Sequence, residues 1–157
     1  MYESFYGLIE KPFELHPDPE YLYMSRGHEN AYTHLEYAMW SHKGFVIVTG
    51  EIGSGKTTLI NYLLTKIQQD TEVGLISNTS LSPEEFIMVL CEEFEVPLDP
   101  TSRHKSKMIA RFHEFLLDQF AKNKWVILII DEAQNLNSEV LEELRMLSNL
   151  EAEKHHL

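Results

Sequence analysis

Gly50-Glu51-Ile52-Gly53-Ser54-Gly55-Lys56-Thr57 has the spacing G-x-x-x-x-G-K-[ST]. Small residues in this pattern let consecutive backbone N–H groups converge on phosphate oxygens. Lys56 can then reach the β- and γ-phosphates, and the Thr57 hydroxyl can ligate Mg²⁺. Further along, the apolar run at residues 125–130 ends in Asp131 and Glu132. Beyond the carboxyl end of a strand, Asp131 can hold Mg²⁺, largely through water, because this ion keeps several waters beside one or two carboxylates. Glu132 can polarise an attacking water. Each motif has a plain alternative, a glycine turn or an Asp-Glu helix start. Their coincidence in one chain points to hydrolysis of a nucleoside triphosphate, with ATP and Mg²⁺ as cofactors.

The elements that must position these groups follow from periodicity. Residues 45–49 (Phe-Val-Ile-Val-Thr) read as a buried strand leading into the loop, and residues 56–68 as the helix leaving it, with Thr58 in its first turn. Strand, glycine loop and helix N-terminus are the context this motif requires, and the helix dipole adds attraction for anions. Residues 73–77 predict a second strand. Ser82, Pro83 and Glu85 predict a helix start with a capping box, followed by Phe86, Val89, Leu90 and Phe94 on a core face. Met108, Ile109, Phe112, Leu116 and Phe120 mark another amphipathic helix. Residues 125–130 read as a fully buried strand, with a last helix after Ser138. Strands separated by helices predict a parallel sheet covered on both faces. Ahead of this core, helix 28–41 follows an arm dense in Pro, Gly, Phe and Tyr. Proline there opposes a regular helix, and the aromatics predict an arm packed along the domain. The division expected is residues 1–43, arm and first helix, and 44–157, a P-loop core.

Composition narrows the partners. With 157 residues and 43% hydrophobic content, the chain can bury a real core. Its 13 basic and 25 acidic residues give a net charge of −12, which opposes a nucleic-acid surface. The local cluster Arg103, Lys105, Lys107 and Arg111 reads as a solvated helix face. The longest apolar run is too short to span a bilayer. The single cysteine, Cys91, excludes an internal disulfide framework and suits the core of its helix.

A glutamate directly after the metal-binding aspartate marks the branch of P-loop ATPases that inserts a strand between the loop strand and the aspartate strand. The resemblance goes further. Phe5-Tyr6-Gly7-Leu8, Pro12-Phe13, Pro17-Asp18-Pro19, Leu22-Tyr23 and Ser25-Arg26 open the chain. The segments GFVIVTGEIGSGKTTL, SNTSLSPEEF and DEAQNL, then EVLEELRMLSNLE, continue it. Over nearly its whole length the chain resembles the general secretion pathway protein A family of AAA+ ATPases, with relatives in pilus and exopolysaccharide biogenesis.

That resemblance implies an α/β P-loop NTPase of AAA+ (ASCE) type and an ATPase at the cytoplasmic side of a bacterial inner membrane. It also implies a homo-oligomer in the full-length protein, a membrane protein of the secretion apparatus as partner, and membrane attachment only through regions outside this chain. The nucleotide residues carried over are Gly50, Glu51, Ile52, Gly53, Ser54, Gly55, Lys56, Thr57 and Thr58. Thr57 and Asp131 are the metal residues, and Lys56 and Glu132 the catalytic ones. Asn78 matches the polar residue that can restrain the catalytic glutamate, with a plain turn asparagine as the alternative. Residues 23–28 would lie near the adenine. Arg145 reads as a surface arginine.

The family continues past Leu157 into strands carrying a sensor and an arginine finger, so the chain is expected to be an N-terminal fragment lacking the fourth core strand. Segments 45–49 and 125–130 are then expected either to leave an unpaired gap or to pair out of family order, and hydrolysis by the chain alone to be negligible. Two other readings share the core motifs: an AAA+ ATPase of DNA transposition or replication loading, and a nucleotide-binding fragment without turnover.

Overall fold

A parallel ladder pairs β1 (Thr71–Ile76) with β2 (Trp125–Ile130) residue for residue, Thr71 opposite Trp125 through Ile76 opposite Ile130. In this computed structural model, residues 2–8, 22–41, 44–67, 70–99 and 104–152 are described. They divide into two compact units, Met1–Ile67 and Gln68–Leu157.

Side chains alternate across a strand. In the second unit, Gly74, Ile76, Val126, Leu128 and Ile130 therefore share one face, and the core is built there from α4 (Pro83–Glu93), α5 (Lys105–Ala121) and α6 (Ser138–Ala152). Phe86, Ile87, Leu90, Cys91 and Val140 are wholly buried in it. Phe94, Phe112 and Phe115 form a triangle of tilted rings with centroids 5.6–5.7 Å apart. Gly74 makes room for it, since a Cβ there would stand 2.6 Å from Phe94 Cζ. Helix α4 starts as its sequence predicts. The Ser82 hydroxyl accepts from Glu85 N–H, Glu85 returns a carboxylate to Ser82 N–H at 2.8 Å, and Pro83 occupies the first turn. The bond from the Ser82 backbone, joined by its hydroxyl, holds the Glu85 carboxyl below its ordinary range. The basic cluster is a solvated face at Arg111, which pairs with the exposed Glu114 at 2.8 Å, but Lys105 is half-buried and pairs at 2.5 Å with Glu143 of α6. Arg145 grips Glu142 with two bonds on the exposed side of α6.

The first unit holds a short helix α1 (Glu3–Tyr6), α2 (Arg26–Ser41) and α3 (Lys56–Leu64). Helices α2 and α3 pack together, with Tyr32 and Tyr62 edge to face at 5.6 Å and Ala38, Leu59 and Leu63 buried.

Four expectations need correction. Residues 45–49 form no strand, and Phe45 and Ile47 are 57% and 84% exposed. β-branched residues favour extended backbone, but a strand is a pairing, and the described residues offer this segment no ladder partner. A groove of about 510 Å³ lies between it and α2. Strand β2 is half-buried, because the helices of its unit cover only the face of its even-numbered residues; the sheet of the described residues has two strands. The helix after the loop ends at Leu64 rather than residue 68. Much of the arm lies outside the described residues. Where it is described, Phe5, Tyr6 and Tyr23 are exposed, and Phe5 and Tyr6 meet each other edge-on at 4.9 Å.

Two outcomes follow from the core. Truncation of Phe86 to alanine should cost ~3–5 kcal/mol in urea denaturation followed by circular dichroism. Burial, with a smaller contribution from Glu92, pushes the Cys91 thiol up to about 11. At pH 8 it should therefore resist a thiol reagent in the native protein and react promptly once urea unfolds the chain.

Candidate functional site

The glycine loop is shaped by two left-handed residues, Gly53 (φ +77) and Gly55 (φ +84). Between Glu51 and Ser54 it closes a turn, Ser54 N–H donating to Glu51 O at 3.2 Å, with Ile52 fully exposed at its tip. Gly55 is the N-cap of α3, so the helix begins at Lys56. The first turn of a helix presents N–H groups without intrahelical partners at the positive end of its dipole. Here that turn consists of Lys56, Thr57 and Thr58. The Lys56 ammonium lies back across the loop, donating to Gly50 O at 3.0 Å and Glu51 O at 2.9 Å. The start of α3 and the Lys56 ammonium thus lie on the same loop.

A residue that motif reading missed supports this loop. His28 sits in the first turn of α2, and its Nε2 lies 2.7 Å from Ser54 O. Its Nδ1 lies 3.1 Å from both Ser25 Oγ and Tyr23 O. The ring stands so close to Gly55 that a Cβ on that glycine would be 2.9 Å from Nε2. No local spacing signals a contact between residues 26 positions apart.

The second unit carries the acidic pair. Asp131 N–H extends the ladder by donating to Ile76 O at 3.0 Å, so the chain leaves β2 at the carboxyl edge of the sheet. There Asp131 Oδ1 accepts from Glu132 N–H at 2.9 Å. Glu132 takes a left-handed conformation, φ 54, that non-glycine residues rarely adopt. Two neighbours hold it. The buried Thr79 hydroxyl donates to Glu132 O at 2.9 Å, and Gln134 Nε2 donates to Glu132 Oε2. Asn137 then caps α6, accepting from Val140 N–H at 2.8 Å, and ties back to Leu81 O at 3.0 Å. Asn78 is exposed two residues beyond β1, and the side chain bonded to the Glu132 carboxylate is that of Gln134. Thr79 and Gln134 were missed in the sequence because neither belongs to a spacing that names a chemistry.

Among the described residues, no group of three or more His, Cys, Asp or Glu could hold a metal alone. Mg²⁺ needs no such cage. It is usually bound by one or two protein oxygens with phosphates and waters.

The family model described as AAA domain matches residues 38–157, more than two thirds of the chain. The chain belongs to the AAA domain family. The chain is also 41% identical over all its 157 residues to general secretion pathway protein A of Aeromonas hydrophila. It spans 28% of that relative's length. No solved structure matches the chain.

The AAA domain's tightest constraint in the loop is Gly55, excluded from substitution both by its φ and by the imidazole. Gly55→Ala should cost at least ~1 kcal/mol from the left-handed backbone alone, read as a lowered midpoint in thermal unfolding. An unchanged midpoint would mean the loop has another conformation in solution.

Proposed function

We propose that this AAA domain binds Mg-ATP through the loop from Gly50 to Thr58 and belongs to an ATPase that serves an envelope secretion apparatus. The supporting observation is the loop itself: a left-handed Gly55 opening α3, with the Lys56 ammonium bonded to carbonyls inside the same turn. On this reading Lys56 exchanges the Gly50 and Glu51 carbonyls for β- and γ-phosphate oxygens. The amides of Gly53 to Thr58 take the remaining phosphate oxygens, which costs little reorganisation because the helix end is already formed.

Thr57 and Asp131 are the residues we assign to Mg²⁺, which when bound neutralises charge on the phosphates and makes the terminal group a better electrophile. Glu132 is assigned to orient and polarise water. Its left-handed backbone, tied by Thr79, sets where the carboxylate emerges, and Gln134 restrains its swing. In this role Gln134 does at Glu132 what Asn78 does on the family analogy, so Asn78 remains the second candidate for that restraint.

The secretion assignment rests on identity over the whole chain to a relative of that name. We place the longer protein at the cytoplasmic side of a bacterial inner membrane, as a homo-oligomer working with a membrane component of the secretion apparatus. Among the described residues, no helix is long and apolar enough to cross a membrane. On the resemblance to the secretion family, we assign membrane attachment to other parts of the longer protein. The excess of acidic residues supports a protein partner over nucleic acid.

Titration with a fluorescent ADP in Mg²⁺ tests the reading. Lys56→Ala should weaken binding about 10- to 100-fold, the worth of one or two charge-assisted bonds. Glu132→Gln should bind normally and lose whatever turnover the wild type has. Equal affinity of Lys56→Ala and wild type would overturn the assignment of the loop.

A further inference from the structure

His28 has no part in either motif, yet it is the residue that joins the segment before α2 to the loop. Its ring contacts define its protonation at one nitrogen. Ser54 O can only accept, so Nε2 carries a proton and donates to it at 2.7 Å. Ser25 serves both ends of the arrangement. Its hydroxyl oxygen accepts from His28 N–H at 3.3 Å, as a helix cap does, and the hydroxyl proton can go to Nδ1 at 3.1 Å. Nδ1 also lies 3.1 Å from Tyr23 O; in the neutral ring with its proton on Nε2, as Ser54 O requires, Nδ1 bonds to the Ser25 hydroxyl and not to that carbonyl.

The bond to Ser54 O has a geometric consequence. No peptide among the described residues is cis, and in a planar trans peptide the carbonyl and the following N–H point to opposite sides. With Ser54 O turned to the imidazole, Gly55 N–H must point away from it. The ring also packs against Gly55 so closely that a Cβ there would stand 2.9 Å from Nε2. We infer that His28 is a positioning residue that sets the Ser54–Gly55 peptide and thereby aims the Gly55 amide at a bound phosphate. This rests on the proposed nucleotide role of the loop and adds the residue that orients one of its donors. A single amide at a helix N-cap is worth most when its direction is fixed before the anion arrives, since no binding energy is then spent on turning it.

Two substitutions separate donor from bulk. His28→Leu keeps volume against Gly55 but has no proton to give Ser54 O; His28→Gln keeps a donor. The probes are Mg-ADP and inorganic pyrophosphate with Mg²⁺, titrated calorimetrically against the whole chain. His28→Leu should bind both about 10- to 100-fold more weakly, the worth of one amide bond to a charged group. His28→Gln should stay within about threefold of wild type. In ¹H–¹⁵N spectra the Gly55 amide should shift on pyrophosphate addition in wild type and His28→Gln, and shift much less in His28→Leu. Thermal melts of the unliganded proteins report folding separately, and a His28→Leu protein that melts like wild type yet binds weakly supports positioning. If wild type binds both probes, Lys56→Ala does not, and His28→Leu matches wild type, the inference about His28 fails while the loop assignment stands. Loss confined to Mg-ADP would put the effect at the base and overturn it as well. If wild type binds neither probe, the loop assignment itself fails and takes the inference with it.

Discussion

Backbone groups that must be paired decide where this chain can do chemistry. The six-residue parallel register of β1 with β2 is the clearest case. It sends both strands out of the sheet on the same edge, and the ladder's last bond, from Asp131 N–H to Ile76 O, places the acidic pair one step beyond. Everything the second unit offers a ligand depends on that edge. Thr79 leaves β1 there and holds the carbonyl of Glu132; Gln134 follows and holds its carboxylate. Had the register slipped by one residue, the even-numbered side chains of β2 would have left the core and Asp131 would no longer close the ladder. In the loop of the first unit, left-handed Gly53 and Gly55 let the backbone leave strand and helix geometry before α3 begins.

Strain in this molecule coincides with the residues assigned to chemistry. Glu132 is one of three non-glycine residues with positive φ among those described, and the only one of the three at the carboxyl edge of the sheet; the others, Glu95 and Asn123, follow helix ends. Such a conformation costs roughly 1–2 kcal/mol and persists where surrounding contacts overdetermine it. Thr79, nearly fully buried and bonded to Glu132 O, supplies such a contact. It is a polar side chain in a core position whose justification is the backbone it holds.

How much of this could be read from residues alone depended on the range of the interaction. Local patterns were faithful. The capping box at Ser82 and Glu85 arises from contacts within a few residues and appeared as written, and β2 matches the apolar run at 125–130; on α5, Met108, Ile109, Phe112 and Leu116 face the core, whereas Phe120 at its end is 55% exposed. The glycine loop followed by a helix was equally local. Residues 45–49 were misread because Val-Ile-Val reports a preference for extended backbone, whereas a strand needs a neighbour that the segment's own composition cannot supply. The arm was misread for a related reason. Phe5, Tyr6 and Tyr23 are apolar enough to pack, but what they pack against is not encoded beside them. Thr79 and Gln134 were invisible as site residues, and His28 was placed only as the end of a segment near the base, not as a support of the loop. Histidine beside a glycine loop, threonine beyond a strand and glutamine after an acid acquire meaning only when the fold brings their partners to them.

The segment at residues 45–49 also bears on how the protein behaves in a tube. Phe45, Val46 and Ile47 are uncharged, rich in β-forming character and exposed, the composition that stacks intermolecularly when copies meet. What opposes such meetings is the twelve-unit excess of negative charge, which acts over about a Debye length, ~10 Å at 0.1 M salt. Colloidal stability is thus borrowed from long-range repulsion while a short-range attraction waits beneath it. Raising ionic strength shortens the first without touching the second. Acidification toward the isoelectric point near 5.0 removes the repulsion altogether. The chain's shelf life is then a property of its buffer as much as of its core.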